Sequence, residues 1–447
     1  MAFTCAECGY RTVKWLGRCP SCGAWDSFAE SDAEAAETSN RPWIGEPVRS
    51  IREIDLADVS RSSSGLAEFD RVLGGGLIPG GVILFGGEPG VGKSTLLLQV
   101  ARVLAERQGN VLYVSGEESE GQVKLRASRL GIDAERLFLL AEQSLSRIEA
   151  AVAEVSPCAL IVDSIQTVRS GGLDGGAGSV SQMRATCAGL IQLAKTRRMV
   201  TFLVGHITKG GAFAGPKTVE HLVDVAVYLE GGRGDDVRIL RSVKNRFGPT
   251  NEAAVFCMTE EGLVEVVDPS SFFLEAHNEE ARPGSVVVPI LEGSRPILIE
   301  LQALVSPTGG YGIPQRRCTG LDVNRVLLLL AVIEKRLAVQ IGGADVYLSV
   351  AGGLEIRERA TDLGIVVAIV SSLRARPIDV RTAVVGEVGL SGEIRAVRRL
   401  PERVGAIGKL GYERILVPAS GSPPQVEGVS VLPVESIDEA IVDLGLG

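Results

Sequence analysis

Residues 87–95 have the types and the spacing that bind the phosphates of a nucleotide. They read G-E-P-G-V-G-K-S-T and fit the pattern G-x-x-x-x-G-K-[ST]. Glycines let successive backbone N–H groups turn toward phosphate oxygens, and a helix N-terminus adds partial positive charge. The predicted phosphate-binding loop consists of Gly87, Glu88, Pro89, Gly90, Val91, Gly92, Lys93, Ser94 and Thr95.

Two side chains of this loop have separate expected roles. Lys93 is expected to contact the β- and γ-phosphates of ATP, and Ser94 to offer its hydroxyl to Mg²⁺. The flanks agree, since residues 82–85 form an apolar run suited to a buried strand and residues 96–107 have helix-forming composition. Strand, loop and helix follow one another, as the motif requires.

Further apolar runs alternate with helical stretches along the chain. They lie at residues 110–114, 159–162, 200–204 and 225–229. This alternation predicts an α/β fold with a mainly parallel sheet, in which ligands bind at the carboxyl ends of the strands. Chemically active residues are therefore expected directly after each run.

Acidic and imidazole side chains do follow these runs. Asp163 is expected to hold Mg²⁺ through its water shell. Glu117 or Glu118 could orient and deprotonate the attacking water, and we favour Glu117; the alternative is a solvated loop charge. His206 could sense the γ-phosphate or be a hydrogen-bonded structural histidine, and the sequence leaves both open.

Two glycine-rich loops follow strands on this same side of the sheet. We expect both loops, residues 169–181 and 208–217, to be too rich in glycine to pack as fixed elements. Arg169, Lys209 and Lys217 could bind a phosphate backbone, or the loops could be disordered surface segments.

Four cysteines near the N-terminus have the spacing of a zinc site. They are Cys5, Cys8, Cys19 and Cys22, in the pattern C-x₂-C-x₁₀-C-x₂-C. Their thiolates can meet at one tetrahedral Zn²⁺, and two disulfides are the alternative. We predict a zinc module at residues 1–26, which contacts either DNA or a protein, and a flexible acidic linker at residues 27–48.

The composition limits the class of protein. With 447 residues, 45% of them hydrophobic, the chain can bury more than one core, and two or three domains are expected. A net charge of −9 argues against a protein that coats nucleic acid non-specifically. The apolar runs are too short to span a bilayer and no signal pattern begins the chain, so we expect a cytoplasmic protein without a membrane partner.

The motifs together resemble a known family. The phosphate loop and residues 160–163 and 204–211 are similar to the RecA-type ATPase core, which we expect at residues 49–268. The pentapeptide K-N-R-F-G at residues 244–248, together with the four cysteines, resembles the bacterial RadA (Sms) family of DNA repair proteins.

The resemblance implies a DNA-dependent ATPase in DNA repair and homologous recombination. Such a protein is expected to form a hexameric ring, to move along single-stranded DNA and to promote branch migration after the RecA recombinase has paired the strands. Its expected partners are single-stranded and branched DNA, RecA and further copies of itself. DNA binding by the two glycine-rich loops is the function that the resemblance favours.

The pentapeptide also contains two expected catalytic cations. In RecA-like and DnaB-like rings, similar K-x-R pairs reach the nucleotide of the adjacent subunit. The resemblance therefore implies that Lys244 and Arg246 stabilise γ-phosphate charge in trans. A basic strand end held in ordinary salt bridges is the alternative.

The last predicted domain, residues 269–447, resembles the proteolytic domain of Lon protease from residue 284 onward. Lon uses a Ser–Lys dyad, and the matching register places Ala360 at the nucleophile and Arg403 near the lysine. Alanine has no nucleophile and arginine stays protonated, so neither can perform that chemistry. The resemblance to the RadA family implies a proteolytically inactive domain that serves as an assembly platform and as an added DNA-contacting surface.

Two other functions stay open on the sequence. The chain could be an ATP-dependent protease of the Lon type, although the absence of serine at position 360 argues against it. It could also be a signalling ATPase or autokinase built on the RecA fold.

Overall fold

The structure is a computed structural model. It describes residues 2–5, 11–12, 15, 17–18, 25, 28–31, 50–53, 60–173, 176–206, 218–231, 236–274, 280–308, 313–421 and 423–447. By its internal contacts the chain separates into two units, Met1–Leu56 and Ala57–Gly447. Within the described residues, no helix is both long and apolar enough to cross a membrane.

The first unit contains a small antiparallel sheet. Its strands are β1 (Ala2–Cys5), β2 (Arg11–Thr12) and β3 (Phe28–Ser31), in the order β2-β1-β3. β3 pairs along the whole of β1, from Cys5 opposite Phe28 to Ala2 opposite Ser31. The prediction of a flexible linker from residue 27 is therefore wrong for β3, because pairing with β1 fixes its backbone.

A nine-stranded sheet forms the centre of the predicted ATPase core. Its strands are β4 (Val82–Gly87), β5 (Val111–Ser115), β6 (Leu137–Ala141), β7 (Ala159–Asp163), β8 (Val200–His206), β9 (Val225–Glu230), β10 (Val237–Asn245), β11 (Ala253–Thr259) and β12 (Gly262–Glu265). The order is β12-β11-β10-β9-β4-β8-β7-β5-β6. Strands β4 to β9 run parallel and β10 to β12 antiparallel, which confirms the predicted α/β fold with a mainly parallel sheet.

Helices cover both faces of this sheet. They are α1 (Ala67–Val72), α2 (Lys93–Arg107), α3 (Glu120–Arg129), α4 (Leu145–Val155), α5 (Val180–Arg197) and α6 (Thr218–Leu222). Apolar side chains of α1, α2 and α3 share one buried cluster with the sheet, and those of α4 and α5 share another. With both faces covered, the central strands read as continuous apolar runs, as β4 does.

The C-terminal part has its own seven-stranded sheet. Its elements are α7 (Pro269–Leu274), β13 (Ser285–Glu292), β14 (Arg295–Pro307), β15 (Arg316–Thr319), α8 (Val323–Leu337), β16 (Ala344–Val350), α9 (Asp362–Leu373), β17 (Thr382–Val384), β18 (Glu387–Val388), β19 (Ile394–Arg395), α10 (Leu400–Lys409), β20 (Arg414–Pro418), β21 (Ser430–Val434) and α11 (Ile437–Asp443). The order is β15-β16-β14-β13-β17-β20-β21, and β18 pairs with β19 apart from it. Side chains of α8, α9 and α11 pack into one buried cluster and those of α10 into a second.

The two sheets are joined by a common core. The C-terminal cluster that contains α8 and α9 also includes Val237, Ile239, Ala253 and Val255 from β10 and β11 of the first sheet. α7, which begins at Pro269, lies in the sequence between the last strand of the first sheet and the first strand of the second. The two predicted domains are therefore packed against each other within one unit.

Candidate functional site

The phosphate loop connects β4 to α2, as the motif requires. Gly92 is the residue before the first turn of α2 and has a φ of 112°, a conformation that L side chains rarely adopt. A Cβ at this position would lie 2.7 Å from Cε of Met258 on β11. Glycine at position 92 therefore meets two constraints, the turn into the helix and the close approach of β11.

Lys93 points back into the loop. Its side chain is buried, and Nζ donates to the backbone oxygens of Gly87 and Glu88 at 2.9 Å each. Burial lowers the pKa of Lys93 from 10.5 to about 8, and the carboxylates of Asp163 and Glu117 partly offset that decrease. The charged form of this desolvated ammonium is stabilised when anionic phosphate oxygens replace the neutral loop carbonyls as its partners.

Ser94 and Asp163 form the part of the site that suits a magnesium ion. The Ser94 hydroxyl donates a 2.5 Å hydrogen bond to Oδ2 of Asp163, which stands at the end of β7. A hydroxyl and a carboxylate oxygen are ligands that Mg²⁺ prefers, either directly or through water. The donor set present here therefore fits the ion.

Tyr113 was not predicted from the sequence. Its hydroxyl donates to the same Asp163 oxygen at 2.6 Å, and burial, followed by the Asp163 charge, raises its pKa well above the usual range. Tyr113 thereby orients the carboxylate. A polar hydroxyl inside an otherwise aliphatic strand needs a partner, and this was the one signal available in the sequence.

Glu117 lies beside His206, whereas Glu118 turns away. Oε1 of Glu117 accepts a hydrogen bond from the Ser164 hydroxyl at 2.6 Å and lies 3.3 Å from Nε2 of His206. Glu118 instead pairs with Arg126 of α3 at 2.5 Å. Of the two candidate glutamates, Glu117 is the one whose carboxylate faces the phosphate loop, and Ser164 is a second contact that the sequence did not reveal.

The contacts of His206 determine which ring nitrogen carries the proton. Nδ1 lies 3.1 Å from Nζ of Lys93. Because an ammonium can only donate, Nδ1 accepts, and the proton of the neutral ring is on Nε2, which donates to Glu117. His206 therefore bridges the phosphate loop and the candidate base.

Lys244 and Arg246 lie at the opposite end of the strands from the phosphate loop. The register of β9 places Leu229 opposite Gly87, next to the loop, but Val225 opposite Asn245 of β10. The distance between these two levels is about 13 Å at the usual rise per strand residue. The structure does not bring Lys244 and Arg246 together with the phosphate loop of the same chain.

At that end of the strands, both cations contact oxygen atoms of their own chain. Nζ of Lys244 donates to the backbone oxygens of Glu220, His221 and Val223, each at 2.9 Å. Arg246 lies 3.5 Å from the buried carboxylate of Asp224. Burial, with a smaller contribution from Arg246, lowers the pKa of Lys244.

Part of the first glycine-rich loop is held in place. The backbone of Arg169 bonds to Gln143 and Leu145, while its side chain is exposed. The buried Gln182 side chain bonds the backbone of Ser170 and of Leu173. The expectation that this loop is too glycine-rich to be fixed is therefore wrong for residues 169–173.

Several predicted residues lie outside the described part of the chain. Among the phosphate-backbone candidates these are Lys209 and Lys217. Cys8, Cys19 and Cys22 also lie outside it, and of Cys5 only the backbone, at the end of β1, is described. Their predicted roles stay predictions.

In the region where the resemblance to Lon would place a dyad, the side chains form structural contacts. Ala360 is buried, and Arg403 forms an ion pair with Glu358. Ser371 accepts from the Gly284 amide and donates to the Arg376 carbonyl. Ser372 accepts from the Val305 amide. None of these contacts supplies a serine activated by a lysine.

Comparisons with known proteins agree with this architecture. Residues 48–212 match the AAA domain family, and residues 3–30 match the rubredoxin metal binding domain family. The DNA repair protein RadA of Bacillus subtilis (strain 168) is 45% identical over 98% of this chain and 97% of its own length. The protein of the same name from Streptococcus pyogenes serotype M1 is 48% identical over 98% of each chain.

The matches and the site geometry support the same enzyme class. The chain is an ATP hydrolase whose cofactors are ATP with Mg²⁺, and its N-terminal module binds Zn²⁺. These alignments span the N-terminal module, the ATPase core and the C-terminal part of this chain. The chain belongs to the RadA family of DNA repair proteins.

Proposed function

We propose that this chain is a DNA-dependent ATPase of recombination, active as a hexameric ring in the cytoplasm. In this proposal it translocates on single-stranded DNA and promotes branch migration of strands that RecA has paired. The observation that supports it best is the separation of the phosphate loop from Lys244 and Arg246 by the length of a strand. A catalytic site that uses both needs two copies of the chain.

Within one copy, the residues around the loop divide the work. Lys93 takes the charge of the β- and γ-phosphates, and Ser94 and Asp163 are the residues that would hold Mg²⁺. Glu117 orients a water and accepts its proton, with Ser164 and His206 fixing the carboxylate. The bound ion would neutralise developing charge on the phosphates.

The neighbouring copy supplies the remaining cations. Lys244 and Arg246 stabilise the negative charge that develops on the γ-phosphate. In the single chain, Lys244 donates to carbonyls at the C-terminal end of α6, so the neighbour's phosphates compete with those carbonyls for its ammonium. Hydrolysis in this scheme responds to how closely two copies approach.

The continuity of the strands with the glycine-rich loops supports coupling to DNA. His206 contacts both Lys93 and Glu117, and the segment that contains Lys209 and Lys217 follows His206 directly in the sequence. Arg169 is similarly close in sequence to Asp163. DNA that binds these loops would therefore shift the two strand ends that carry the hydrolytic groups.

The test is ATP hydrolysis by the full chain with and without single-stranded DNA. We expect stimulation by single-stranded and branched DNA, a ring by native mass spectrometry, and faster RecA-dependent branch extension with ATP than with a non-hydrolysable analogue. A variant with Arg169, Lys209 and Lys217 changed to alanine should keep the basal rate and lose the stimulation. A rate indifferent to every DNA, or a protein that stays monomeric, would refute the proposal.

A further inference from the structure

The outer end of β13 lacks a strand neighbour on one side. Val287 pairs with Ala383 of β17, but among the described residues no strand continues that ladder along the rest of β13. Alternate residues of a strand direct their backbone groups to the same side, so Pro289 and Leu291 face the gap. Backbone groups left in a buried gap need partners from elsewhere.

An ion pair between the buried Arg403 and the half-buried Glu358 fills this gap. Oε1 of Glu358 accepts from the Leu291 amide at 2.8 Å, and Arg403 donates to the carbonyl of Pro289. The guanidinium of Arg403 is 1% exposed and contacts Glu358 through two nitrogens, at 2.9 and 2.6 Å. The pair lies where the resemblance to Lon would place the dyad. It bonds the backbone of β13 as a neighbouring strand would, and thereby holds β13 in place.

Directly beyond this clamp, β13 turns into β14 through a hairpin that docks on the ATPase core. Glu292, 5% exposed, accepts from Arg241 of β10. Gly293 forms a backbone bridge to Glu252, and the Ser294 hydroxyl donates to the Glu252 carboxylate at 2.5 Å. The hairpin therefore contacts β10 and the residue before β11 through an ion pair, a backbone bridge and a side-chain hydrogen bond.

The strand on which it docks, β10, contains Lys244, and Arg246 follows directly after its last residue, Asn245. Arg241 precedes Lys244 by three positions on β10, and the pairing of β10 with β9 shifts by one residue between Ser242 and Lys244. Such a bulge sets the direction of the side chains that follow it. The placement of Arg241 therefore bears directly on where Lys244 points.

We infer that the Glu358–Arg403 pair is a positioning element for ATP hydrolysis, which holds the β13–β14 hairpin against β10 and thereby aims Lys244 and Arg246 at the neighbouring copy. The inference rests on the trans role proposed above. It gives the Lon-like domain a part in catalysis that requires no protease chemistry.

The decisive variant is Gly293→Ala, which leaves the ATPase core unchanged in sequence. Gly293 has a φ of 65°, and a Cβ there would lie 2.2 Å from the Asn251 oxygen, so the hairpin must move away from the core. Gly428→Ala is the matched control, since Gly428 has a φ of 79° and open space around its Cβ position. Both variants strain the backbone, but only the first disturbs the docking.

We expect Gly293→Ala to lower kcat about tenfold with KM unchanged within about twofold, and Gly428→Ala to behave like the parent. Adding Gly293→Ala to Lys244→Ala should cause no loss beyond that of Lys244→Ala alone, because both act through the same cation. Losses that multiply, or a Gly293→Ala rate equal to that of the control, would overturn the inference. Normal turnover by Lys244→Ala alone would remove the trans role itself, and this inference with it.

A second variant tests the clamp without relying on turnover. Glu358→Gln leaves an amide oxygen for Leu291 but removes the counter-charge of Arg403. Hydrogen exchange followed by mass spectrometry should then become faster in β10 as well as in β13, with β4 and β7 unchanged. Faster exchange confined to the C-terminal domain would contradict a link to β10.

Discussion

Nζ of Lys93 lies 3.1 Å from Nδ1 of His206, and this contact joins the phosphate loop to the end of β8. An incoming nucleotide must take the ammonium away from the ring and from two loop carbonyls. The histidine then has a free acceptor nitrogen beside the bound phosphates, while its other nitrogen still donates to Glu117. We therefore propose that His206 links occupancy of the loop to the candidate base.

The lowered pKa of Lys93 predicts how nucleotide affinity depends on pH. In the free protein its pKa is about 8, and bound phosphates favour the charged form and raise it again. Binding therefore takes up a proton above pH 8, and affinity should fall by up to about tenfold per pH unit as the pH rises above that value. Calorimetry with a non-hydrolysable ATP analogue in two buffers of different ionisation enthalpy measures both effects. A pH-independent affinity above pH 8, with no proton uptake, would contradict this assignment.

Glu117 and Glu118 offer a matched pair of substitutions. Glu117→Gln should bind ATP normally but hydrolyse it about 10² to 10³ times more slowly, because the amide cannot accept a proton from water. Glu118→Gln should retain most of the rate, since that carboxylate is paired with Arg126. Single-turnover hydrolysis and nucleotide binding measured side by side separate the two steps. Equal losses for both variants would remove the distinction drawn between the two glutamates.

Mixing two inactive variants tests whether the site is shared. Lys93→Ala lacks a working loop but keeps Lys244, and Lys244→Ala keeps the loop but lacks the cation. If the two groups act across an interface, mixed assemblies contain some complete sites and should regain about a quarter of the parental rate at equal amounts. The rate is followed after the variants have been allowed to exchange subunits. Persistent inactivity of exchanged mixtures would argue that each copy needs its own Lys244.

Zinc removal should affect thiol reactivity in a selective way. A chelator that strips Zn²⁺ should expose Cys5, Cys8, Cys19 and Cys22 to a thiol reagent and unfold the N-terminal module. Burial raises the pKa of Cys187 to about 12, so this thiol should stay unreactive until the ATPase core unfolds. We expect chelation to add four fast-reacting thiols per chain and to leave the thermal transition of the core unchanged. Cysteines that react equally fast before and after chelation would exclude a zinc site.

The parts of the site that the sequence predicted are those that local structure determines. The phosphate loop, Asp163 and His206 each sit at the end of a strand whose apolar run is continuous in the sequence. Parallel strands bring such ends to one edge, so their meeting follows from topology alone. For this reason the α/β fold and the group of residues around Lys93 could be predicted from the sequence.

The remaining contacts depend on how distant segments pack. Tyr113 lies within an apolar run, and Ser164 had no spacing to mark it, yet both bind the carboxylates of the site. The docking of Glu292 on Arg241 joins residues of two sheets, and no pattern in either strand indicates the partner. The local edge positions of Lys244 and Arg246 likewise became visible only with the register of β10.

The phosphate loop and Lys244 lie at opposite strand ends of one sheet, and this placement has a consequence for assembly. Under the trans role, each copy gives one edge to the neighbour before it and the other to the neighbour after it, so the contact is heterologous. A closed circle satisfies every such contact, whereas an open spiral leaves an incomplete site at its terminus. The rate of ATP hydrolysis per chain would then fall on dilution, and a free subunit would bind ATP without hydrolysing it.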